Sequence, residues 1–492
     1  MNDVGVKKRL MNTRQELKAY HINEAKWDDI WQTIKRDCAF LTDWGIECLS
    51  SGLKESVKSI ILEPRYLCKD HRNLYSNYYS KKFLESSSFT SRLHFFSDPD
   101  ITIPDFLYNT KDYQSTYIGF SVIRPVVERC IGRTVIDPLR LNNTNKNNFF
   151  CLSTDYKANL GGKRFTVHGY PYISQDGDVT VCAHTALWGV CRYLSERYTV
   201  YKEIYPFDII NFTSHSEGRT FPHRAMSYSD YSSILSEFGT FPAVLVLKDA
   251  DGNTSVKEHN QLYTYIESGF PVVASLPEHV ITIIGHTLDL TRNPKPDGEG
   301  LIDSSEFVNE FIIVDDNYFP YQLMGKQGAK NKYNSFSIDD IKTAVCPLPE
   351  KVFLPADIAK SWALSNLRLG FGQLEVTGRT PFVTRLFLTN SSSFKERCLR
   401  RSSRNGNIDV LSYYPTDLNL PHFIWVMEVG PLDLYRQGKC TAEVVLDSTA
   451  SDIEHALIYM RFGKHFYFNG QLSTNRNGPT SYSQYTHNLG EK

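Results

Sequence analysis

The sequence predicts an α+β protein whose central region carries a helix beginning at a cysteine, followed by several short strands. From residue 181 onward apolar side chains recur at helical spacing, so Cys182 falls in the first turn of a helix. Short apolar segments at 279–285 and 311–316 have the length and the β-branched content of strands. Longer β-branched and aromatic runs after residue 351 predict a β-rich C-terminal region.

Changes in composition along the chain predict four regions, which are 1–160, 161–350, 351–470 and 471–492. The first is an α/β region that opens with an amphipathic helix over 14–38. The second is the central region with the cysteine helix, and the third is the β-rich region. The fourth is too polar to fold alone, so we expect a flexible tail.

Charge and cysteine content indicate where the protein is located and which classes of partner it can bind. The 492 residues carry a formal net charge of −1 with a sequence pI of about 6.9, so no general positive field would hold the chain on nucleic acid or on an anionic membrane. The N-terminus lacks the apolar core of a secretory signal, and no stretch approaches the roughly 20 apolar residues of a membrane span. We therefore expect a cytoplasmic protein with reduced cysteines that recognises its partner at a local site.

Cys182 is the candidate nucleophile because of its place in the predicted helix. A thiol attacks a carbonyl as the thiolate, and free cysteine, with a pKa of about 8.5, is mostly protonated at neutral pH. The unpaired N–H groups in the first turn of a helix, and the positive end of its dipole, favour the thiolate. A nearby imidazolium would add a full positive charge, and His279, which begins a predicted strand, can supply it.

Two further roles can be filled from the same region. A carboxylate or an amide must hold the imidazole in the correct tautomer, and the candidates after the last central strand are Asp315, Asp316 and Asn317. Gln175, just upstream of the cysteine, can donate a side-chain N–H to a developing oxyanion beside the backbone N–H of Cys182. His286, further along the strand that His279 begins, is the alternate base.

The order of these residues resembles the papain-like cysteine peptidases, and most closely the bacteriocin-processing (C39-like) peptidases, whose third catalytic residue is Asp. The resemblance covers about 165–325 and depends on Gln175 and on four segments, which are CAHTALW (182–188), GFPV (269–272), HVITIIG (279–285) and FIIVDD (311–316). In that family the catalytic His begins a strand that ends in Gly, as His279 and Gly285 do here. The resemblance therefore implies His279 rather than His286 as the base, and Asp316 rather than Asp315 as the orienting residue.

The resemblance also implies a papain-like central domain, in which the cysteine helix packs on an antiparallel sheet. The implied activity is hydrolysis of a peptide or isopeptide bond in a peptide or protein substrate through a thioester, with no cofactor and no metal. Two alternatives stay open, a papain-like module that binds peptides or acts as a scaffold without catalysis, and a Cys/His/Asp acyltransferase. Zinc bound by Cys182, His184, His286 and Asp316 is disfavoured, because side chains two residues apart on a helix diverge.

Two polar segments carry predictions of their own, and the first of them departs from the resemblance. The insertion at 287–307, between His279 and Asp316, is longer than the tight turn of the family, and we expect a surface hairpin or a flap over the substrate groove. The basic stretch KERCLRRSSR (395–404) is expected to be a solvated loop.

Overall fold

The computed structural model describes residues 16–22, 26–109, 111–141, 148–217, 226–249, 251–253, 255–325, 336–371, 381–402, 410–485, 488 and 489. The chain divides into two compact units, each assembled from segments that are distant in the sequence. Unit 1 comprises 1–145, 153–225 and 314–321, and unit 2 comprises 146–152, 226–313 and 322–492. Both units combine helices with antiparallel sheets, which confirms the predicted α+β class.

Unit 1 is built on a seven-stranded antiparallel sheet. Its strands are β1 (Lys18–His21), β2 (Ser59–Tyr66), β3 (Thr90–Phe96), β4 (Tyr117–Ile123), β5 (Ile131–Ile136), β7 (Thr154–Leu160) and β8 (Lys163–Tyr172). They lie in the order β1-β2-β3-β4-β5-β8-β7. Every residue of β3 and β4 is buried, so both faces of the sheet are covered at its centre.

The helices of unit 1 surround this sheet. They are α1 (Trp27–Asp37), α2 (Asp43–Leu53), α3 (Lys69–Asn77), α4 (Ile103–Tyr108), α5 (Cys182–Arg197) and α6 (Pro206–Glu217). Helix α5 is buried continuously from Ala183 to Leu194, which makes it the central helix of the unit. The predicted helix over 14–38 is only partly correct, because residues 18–21 pair with β2 as a strand and the helix begins at Trp27.

Unit 2 contains two large sheets. The first consists of β6 (Phe149–Cys151), β9 (Thr240–Val246), β10 (Val272–Leu276), β11 (His279–Leu288), β13 (Val308–Val314), β14 (Gln322–Gly325) and β15 (Thr343–Pro349). Its order is β14-β13-β11-β10-β15-β9, with β6 paired to β11. The second consists of β12 (Leu301–Asp303), β16 (Phe382–Asn390), β17 (Phe423–Pro431), β19 (Ala442–Asp447), β20 (Leu457–Phe462), β21 (His465–Phe468) and β22 (Gln471–Thr474), in this order. Strands β18 (Lys439–Cys440) and β23 (Tyr482–Ser483) form a separate pair.

Helices fill the layers of unit 2. They are α7 (Tyr228–Phe238), α8 (Val256–Glu267), α9 (Ala356–Phe371), α10 (Ser391–Ser402), α11 (Val410–Asp417), α12 (Leu432–Tyr435) and α13 (Ile453–Ala456). The core between the sheets includes side chains of α8 and α9 together with Ile281 and Trp425. On β16, Leu386 and Leu388 face this core, whereas Phe387 faces the opposite side with α10 and α11, as the two-residue period of a strand requires.

Local stop and start signals explain why the central elements were predictable. Ser227 caps α7 by accepting the N–H of Asp230, and Gly239 ends this helix with a left-handed φ of 102°. Gly269 ends the α8 segment in the same way, with a φ of 90°. The strands predicted at 279–285 and 311–316 are present as β11 and β13.

Long-range packing departs from the predicted regions. The boundaries at 160 and 350 do not coincide with the division between the units, because β8 belongs to the unit 1 sheet and α9 shares a core with α8. The expected hairpin or flap at 287–307 is instead tied into unit 2, since its strand β12 pairs in parallel with β16. Among the described residues, every helix is too short or too polar to cross a bilayer.

The described part of the polar C-terminal segment, which is 471–485, 488 and 489, packs against unit 2 at several points, whereas the sequence predicted a flexible tail. Tyr485 is fully buried, its N–H donates to Glu428 Oε1 at 2.6 Å, and its ring stacks on Phe387. The side-chain amide of Asn488 donates to the carbonyl of Leu388 at 2.9 Å. The polar composition of this segment predicted flexibility, but two buried tyrosines, Tyr482 and Tyr485, anchor it.

Candidate functional site

Cys182 is the first residue of α5, as the sequence predicted. The polar residues just upstream, Asp178 and Thr180, do not cap the helix. The N-cap is Val181, and the ring nitrogen Nδ1 of His184 accepts the Val181 N–H at 3.2 Å. His184 thus turns back on its own helix start, which is a structural role and does not fit the disfavoured zinc arrangement.

Buried polar contacts fix the orientation of α5 in unit 1. The indole N–H of Trp188 donates to Asp70 Oδ1 at 3.2 Å, and the guanidinium of Arg133 lies 2.6 Å from Asp70 Oδ2. Asp70 and Trp188 are almost completely buried, so this ion pair and its hydrogen bonds act in an environment of low dielectric constant. The contacts of Trp188, about two turns after Cys182, therefore fix the direction of α5 and with it the position of Cys182.

The loop before Cys182 is organised by one carboxylate. Oδ1 of Asp176 accepts the backbone N–H groups of Asp178, Val179 and Thr180 at 3.0, 2.9 and 2.9 Å. Its other oxygen accepts the hydroxyl of Tyr79 at 2.7 Å. These contacts shape the approach to the helix, a role that the sequence analysis missed although Asp176-Gly177 is a typical turn pair.

We expect Asp176→Ala to loosen this loop. The change removes the acceptor of three N–H groups and one hydroxyl, and each buried group left unsatisfied costs about 1–3 kcal/mol. Hydrogen exchange of the amides of 178–180 should accelerate at least tenfold. The matched control is Asp178→Ala, which removes only an ion pair with Lys82. In this pair the Asp178 side chain is 45% exposed and the Lys82 side chain 33% exposed. Equal exchange in the two variants would contradict the role given to Asp176.

Arg124 holds the segment that contains Gln175. Its guanidinium is buried and donates to the carbonyls of Arg129 and Ser174 at 2.9 and 2.8 Å, and to the carbonyl of Gln175 at 3.4 Å. The backbone of Gln175 is therefore fixed, and the residue is partly exposed. No described contact fixes its side-chain amide, so its role at an oxyanion stays a prediction.

The segment 314–321 brings the predicted orienting residues into the same unit as Cys182. Tyr172, at the end of β8, donates its hydroxyl to the carbonyl of Asp316 at 3.2 Å. The side chain of Asn317 accepts from Arg129, whose own carbonyl accepts the hydroxyl of Ser174 at 2.9 Å. The Asp316 segment and the Gln175 segment therefore meet at Arg129.

The carboxylates of this segment differ in their contacts. Oδ1 of Asp315 accepts the N–H of Asn317 at 2.8 Å, so it stabilises the turn. Asp316 is buried like Asp315, and its backbone rather than its carboxylate is used by Tyr172. Asn317 is held through its side-chain oxygen by Arg129. The choice among Asp315, Asp316 and Asn317 for the orienting role stays a prediction.

The thiols of unit 1 differ in exposure. Cys182 is partly exposed, whereas the other described cysteines are buried. Burial raises the pKa of Cys38 to about 11 and that of Cys48 to about 12, which keeps both as neutral thiols at physiological pH. Cys182 is thus the thiol that a reagent or a substrate can reach.

The predicted base lies in unit 2. His279 begins β11, is partly exposed, and its ring stacks on Phe336 with centroids 6.2 Å apart. The N–H of Asp289 donates to the carbonyl of Phe307 at 2.8 Å, so the end of β11 meets the start of β13 and the two strands are antiparallel. His279 therefore starts β11 at the edge of the sheet where β13 ends.

His286, the alternate base, lies far from His279 on the same strand. It lies seven residues further along β11, which at 3.3 Å per residue places it about 23 Å away and on the opposite face of the strand. Its Nε2 is 2.6 Å from Glu267 Oε2 in the interior of unit 2. His286 thus lies at a different place from His279, and its assignment as an alternate base stays a prediction.

No protein-family model matches this sequence, and no curated protein is significantly similar to it.

Proposed function

We propose that this protein is a cysteine-nucleophile hydrolase that acts on peptide or isopeptide bonds, with Cys182 as the nucleophile. The observation that carries the proposal is the position of Cys182, a partly exposed thiol on the first residue of a buried helix. Unpaired N–H groups at such a helix start stabilise a thiolate, and a substrate carbonyl can approach it from solvent.

The proposed reaction divides the work among four residues. The thiolate of Cys182 attacks the carbonyl carbon, and the tetrahedral oxyanion is stabilised by the Cys182 N–H and the amide of Gln175. Protonated His279 gives its proton to the leaving amine, which leaves a thioester. Water then attacks the thioester as His279 takes its proton, so that a carboxylic acid is released and the thiol is restored. Asp316 holds the imidazole in the required tautomer.

The contributions of these residues have different support. Cys182, Gln175 and Asp316 belong to unit 1. Arg124 binds the backbone carbonyl of Gln175, and Tyr172 binds that of Asp316. Arg129 binds the side chain of Asn317, the residue after Asp316. The role of His279 follows from the sequence order, which places it at the start of a strand as in the papain-like peptidases. The peptide substrate and the likeness to the C39-like peptidases likewise derive from the sequence.

Alkylation of the native protein tests the proposal. At pH 7, iodoacetamide should label Cys182 at least tenfold faster than a free cysteine, since an activated thiol is largely ionised. Cys182→Ala should abolish this labelling and any cleavage of a peptide substrate, whereas Cys191→Ala, a change at a fully buried thiol on the same helix, should leave both unchanged. His279→Ala should slow the labelling.

Two results would reject the hydrolase. One is labelling of Cys182 that is no faster in the native than in the unfolded protein and does not depend on His279. The other is peptide binding that is retained without any turnover in the wild type, which is the behaviour of a non-catalytic module. Incorporation of an added amine into the product, in place of hydrolysis, would identify an acyltransferase instead.

A further inference from the structure

A serine, a histidine and an aspartate meet on one face of the hairpin formed by β7 and β8 in unit 1. Nε2 of His168 lies 2.6 Å from Oγ of Ser153, and Nδ1 of His168 lies 2.8 Å from Oδ1 of Asp155. One ring nitrogen thus contacts a hydroxyl and the other contacts a carboxylate. Serine hydrolases activate their nucleophile through these same two contacts, which are recognised by geometry and not by the order of the residues in the chain.

The register of the hairpin brings the three side chains together. Gly161 and Gly162 form its two-residue turn, with φ values of 55° and 82° that favour glycine. Asp155 lies opposite His168 in this register. Hydrogen-bonded and non-hydrogen-bonded pairs alternate from the turn, so these two residues form a non-hydrogen-bonded pair, in which opposing side chains are closest. Ser153 precedes Asp155 by two residues, and its side chain therefore lies on the same face.

The neutral ring of His168 orients the serine hydroxyl for attack. The side chain of Asp155 is 68% exposed, and an exposed carboxyl group is ionised at neutral pH and only accepts hydrogen bonds. Nδ1 of His168 is therefore the donor to Asp155. In the neutral ring Nε2 then carries a lone pair, and the hydroxyl of Ser153 donates to it. His168 is thus in position to take the proton when Ser153 attacks.

Exposure of the three residues indicates the class of substrate. The side chain of His168 is 46% exposed, whereas Ser153 is 7% exposed, so a short acyl group can reach the hydroxyl more easily than a bulky one. An ester also suits an open site better than a peptide, because an alcohol departs with less help from a precisely held acid than an amine needs. The exposure therefore favours esters of short carboxylic acids.

Arg197 places a positive charge beside the serine. It is the last residue of α5, and its Nη1 lies 3.4 Å from the carbonyl oxygen of Ser153. A guanidinium at this position can stabilise the negative charge that develops on the carbonyl oxygen of a substrate attacked by Ser153. Cys182 begins the same 16-residue helix, so it lies about 22 Å from Arg197 at 1.5 Å per residue. The serine and the cysteine therefore belong to separate sites.

We infer that Ser153, His168 and Asp155 form a second hydrolytic site, which cleaves esters of short carboxylic acids. Oγ of Ser153 attacks the carbonyl carbon while its proton passes to Nε2 of His168, and His168 gives this proton to the departing alcohol. Water then attacks the acyl-serine as His168 takes a proton from it, and the acid leaves as that proton returns to Ser153. Asp155 is a positioning residue that holds the ring in the required tautomer. This activity goes beyond the proposed thiol hydrolase and does not depend on it.

Labelling of the full-length protein with a fluorophosphonate tests the inference, because an activated serine displaces the fluoride and keeps the phosphonyl group. At pH 8, mass spectrometry of the digested protein should find one label per chain, on Ser153. His168→Gln should slow the labelling at least a hundredfold, which is within the usual contribution of a general base. Asp155→Asn should slow it at least tenfold without lowering the final stoichiometry, whereas a variant that had lost its fold would take up less label.

His455→Gln is the matched control. Nδ1 of His455 lies 2.8 Å from Oδ1 of Asp452, and both side chains are exposed, so this pair reproduces the pair of His168 and Asp155. Asp452 caps α13, and the contacts described for His455 include no serine hydroxyl. The substitution should therefore leave the labelling of Ser153 unchanged.

Hydrolysis of p-nitrophenyl acetate gives a second readout. The assay uses the Cys182→Ala protein, so that the proposed thiol nucleophile cannot contribute to turnover. Adding Ser153→Ala to this protein should lower the rate at least a hundredfold, and adding Arg197→Gln should lower it at least tenfold because the oxyanion loses a cation.

Three outcomes would overturn the inference. The first is a folded wild type in which Ser153 takes up no label. The second is labelling of Ser153 at the same rate in His168→Gln as in the wild type, since the hydroxyl would then not be activated by the ring. The third is ester hydrolysis by the Cys182→Ala protein that Ser153→Ala does not change. None of these results bears on Cys182, whose alkylation tests the thiol hydrolase separately.

Discussion

Arg401→Met is expected to destabilise unit 2 by about 3–5 kcal/mol, the usual cost of removing one partner from a buried ion pair. In the wild type, Nη1 of Arg401 lies 2.8 Å from Glu443 and Nη2 lies 3.1 Å from Glu428, and all three side chains are almost completely buried. Methionine matches the length of the arginine stem but removes the guanidinium that pairs with Glu443 and Glu428. The loss is measured by urea unfolding, with hydrogen exchange of the β17 and β19 amides reporting on unit 2.

The same variant should recover stability as the pH falls. Burial raises the pKa of Glu428 even with Arg385 and Arg401 beside it. Without Arg401 the folded-state pKa of Glu428 rises further, because one of the two guanidinium groups that lower it is lost. A carboxyl group whose folded pKa is raised destabilises the fold above that pKa and not below it. The difference in stability between variant and wild type should therefore be smaller at pH 5 than at pH 8.

Arg400→Met is the matched control. Arg400 is the neighbouring residue of α10 and pairs with Glu396 on the surface, where the two side chains are 57% and 60% exposed. An exposed pair four residues apart on a helix contributes about 0.3–0.5 kcal/mol. If the two variants lost equal stability, or if the loss in Arg401→Met did not depend on pH, the buried network would not have the role assigned to it.

This network also shows where reading the sequence fails. The basic stretch at 395–404 was expected to be a solvated loop, yet α10 extends to Ser402 and Arg401 enters the interior. Its partners, Glu428 and Glu443, lie on strands β17 and β19 that follow much later in the chain. The charge of the stretch alone predicts exposure to solvent. Only the fold shows that Glu428 and Glu443 lie on adjacent strands where they can pair with Arg401.

Features set by neighbouring residues were predictable. The start of α5 at Cys182, the glycines that end α7 and α8, and the strands β10, β11 and β13 all follow from local spacing and capping. The organising role of Asp176 was equally local, but a turn pair does not reveal how many N–H groups its carboxylate will accept.

Features set by distant parts of the chain were not predictable. Segment 314–321 packs in unit 1 through Tyr321, whose hydroxyl donates to the carbonyl of Ile136 at 2.7 Å and accepts the N–H of Tyr170 at 2.8 Å. One tyrosine thus joins strands β5 and β8 to a segment that follows more than a hundred residues later. The pairing of His286 with Glu267 is hidden for the same reason, because nothing between the end of α8 and β11 indicates that the two side chains meet.

Lowering the pH from 7.5 to 5 should destabilise unit 1 of the wild type by about 4 kcal/mol, because two buried histidines must stay neutral. Burial lowers the pKa of both His71 and His94 to about 4, from an ordinary value of 6.5. In the unfolded chain both rings take up protons below pH 6.5, whereas in the folded unit they do so only near pH 4. The unfolded state therefore binds more protons throughout this window, so stability falls with the pH, by about 2 kcal/mol per histidine at pH 5.

Urea unfolding at pH 7.5, 6 and 5 measures this slope, and single variants assign it. His71→Gln retains a donor for the carbonyl of Ser87, which His71 Nε2 contacts at 2.8 Å, and should remove about half of the pH dependence. His168→Gln is the control, since His168 lies on β8 of the same unit but its side chain is 46% exposed. A slope that persists in a His71→Gln, His94→Gln double variant would mean that other groups cause the acid sensitivity, because neither glutamine takes up a proton in either state.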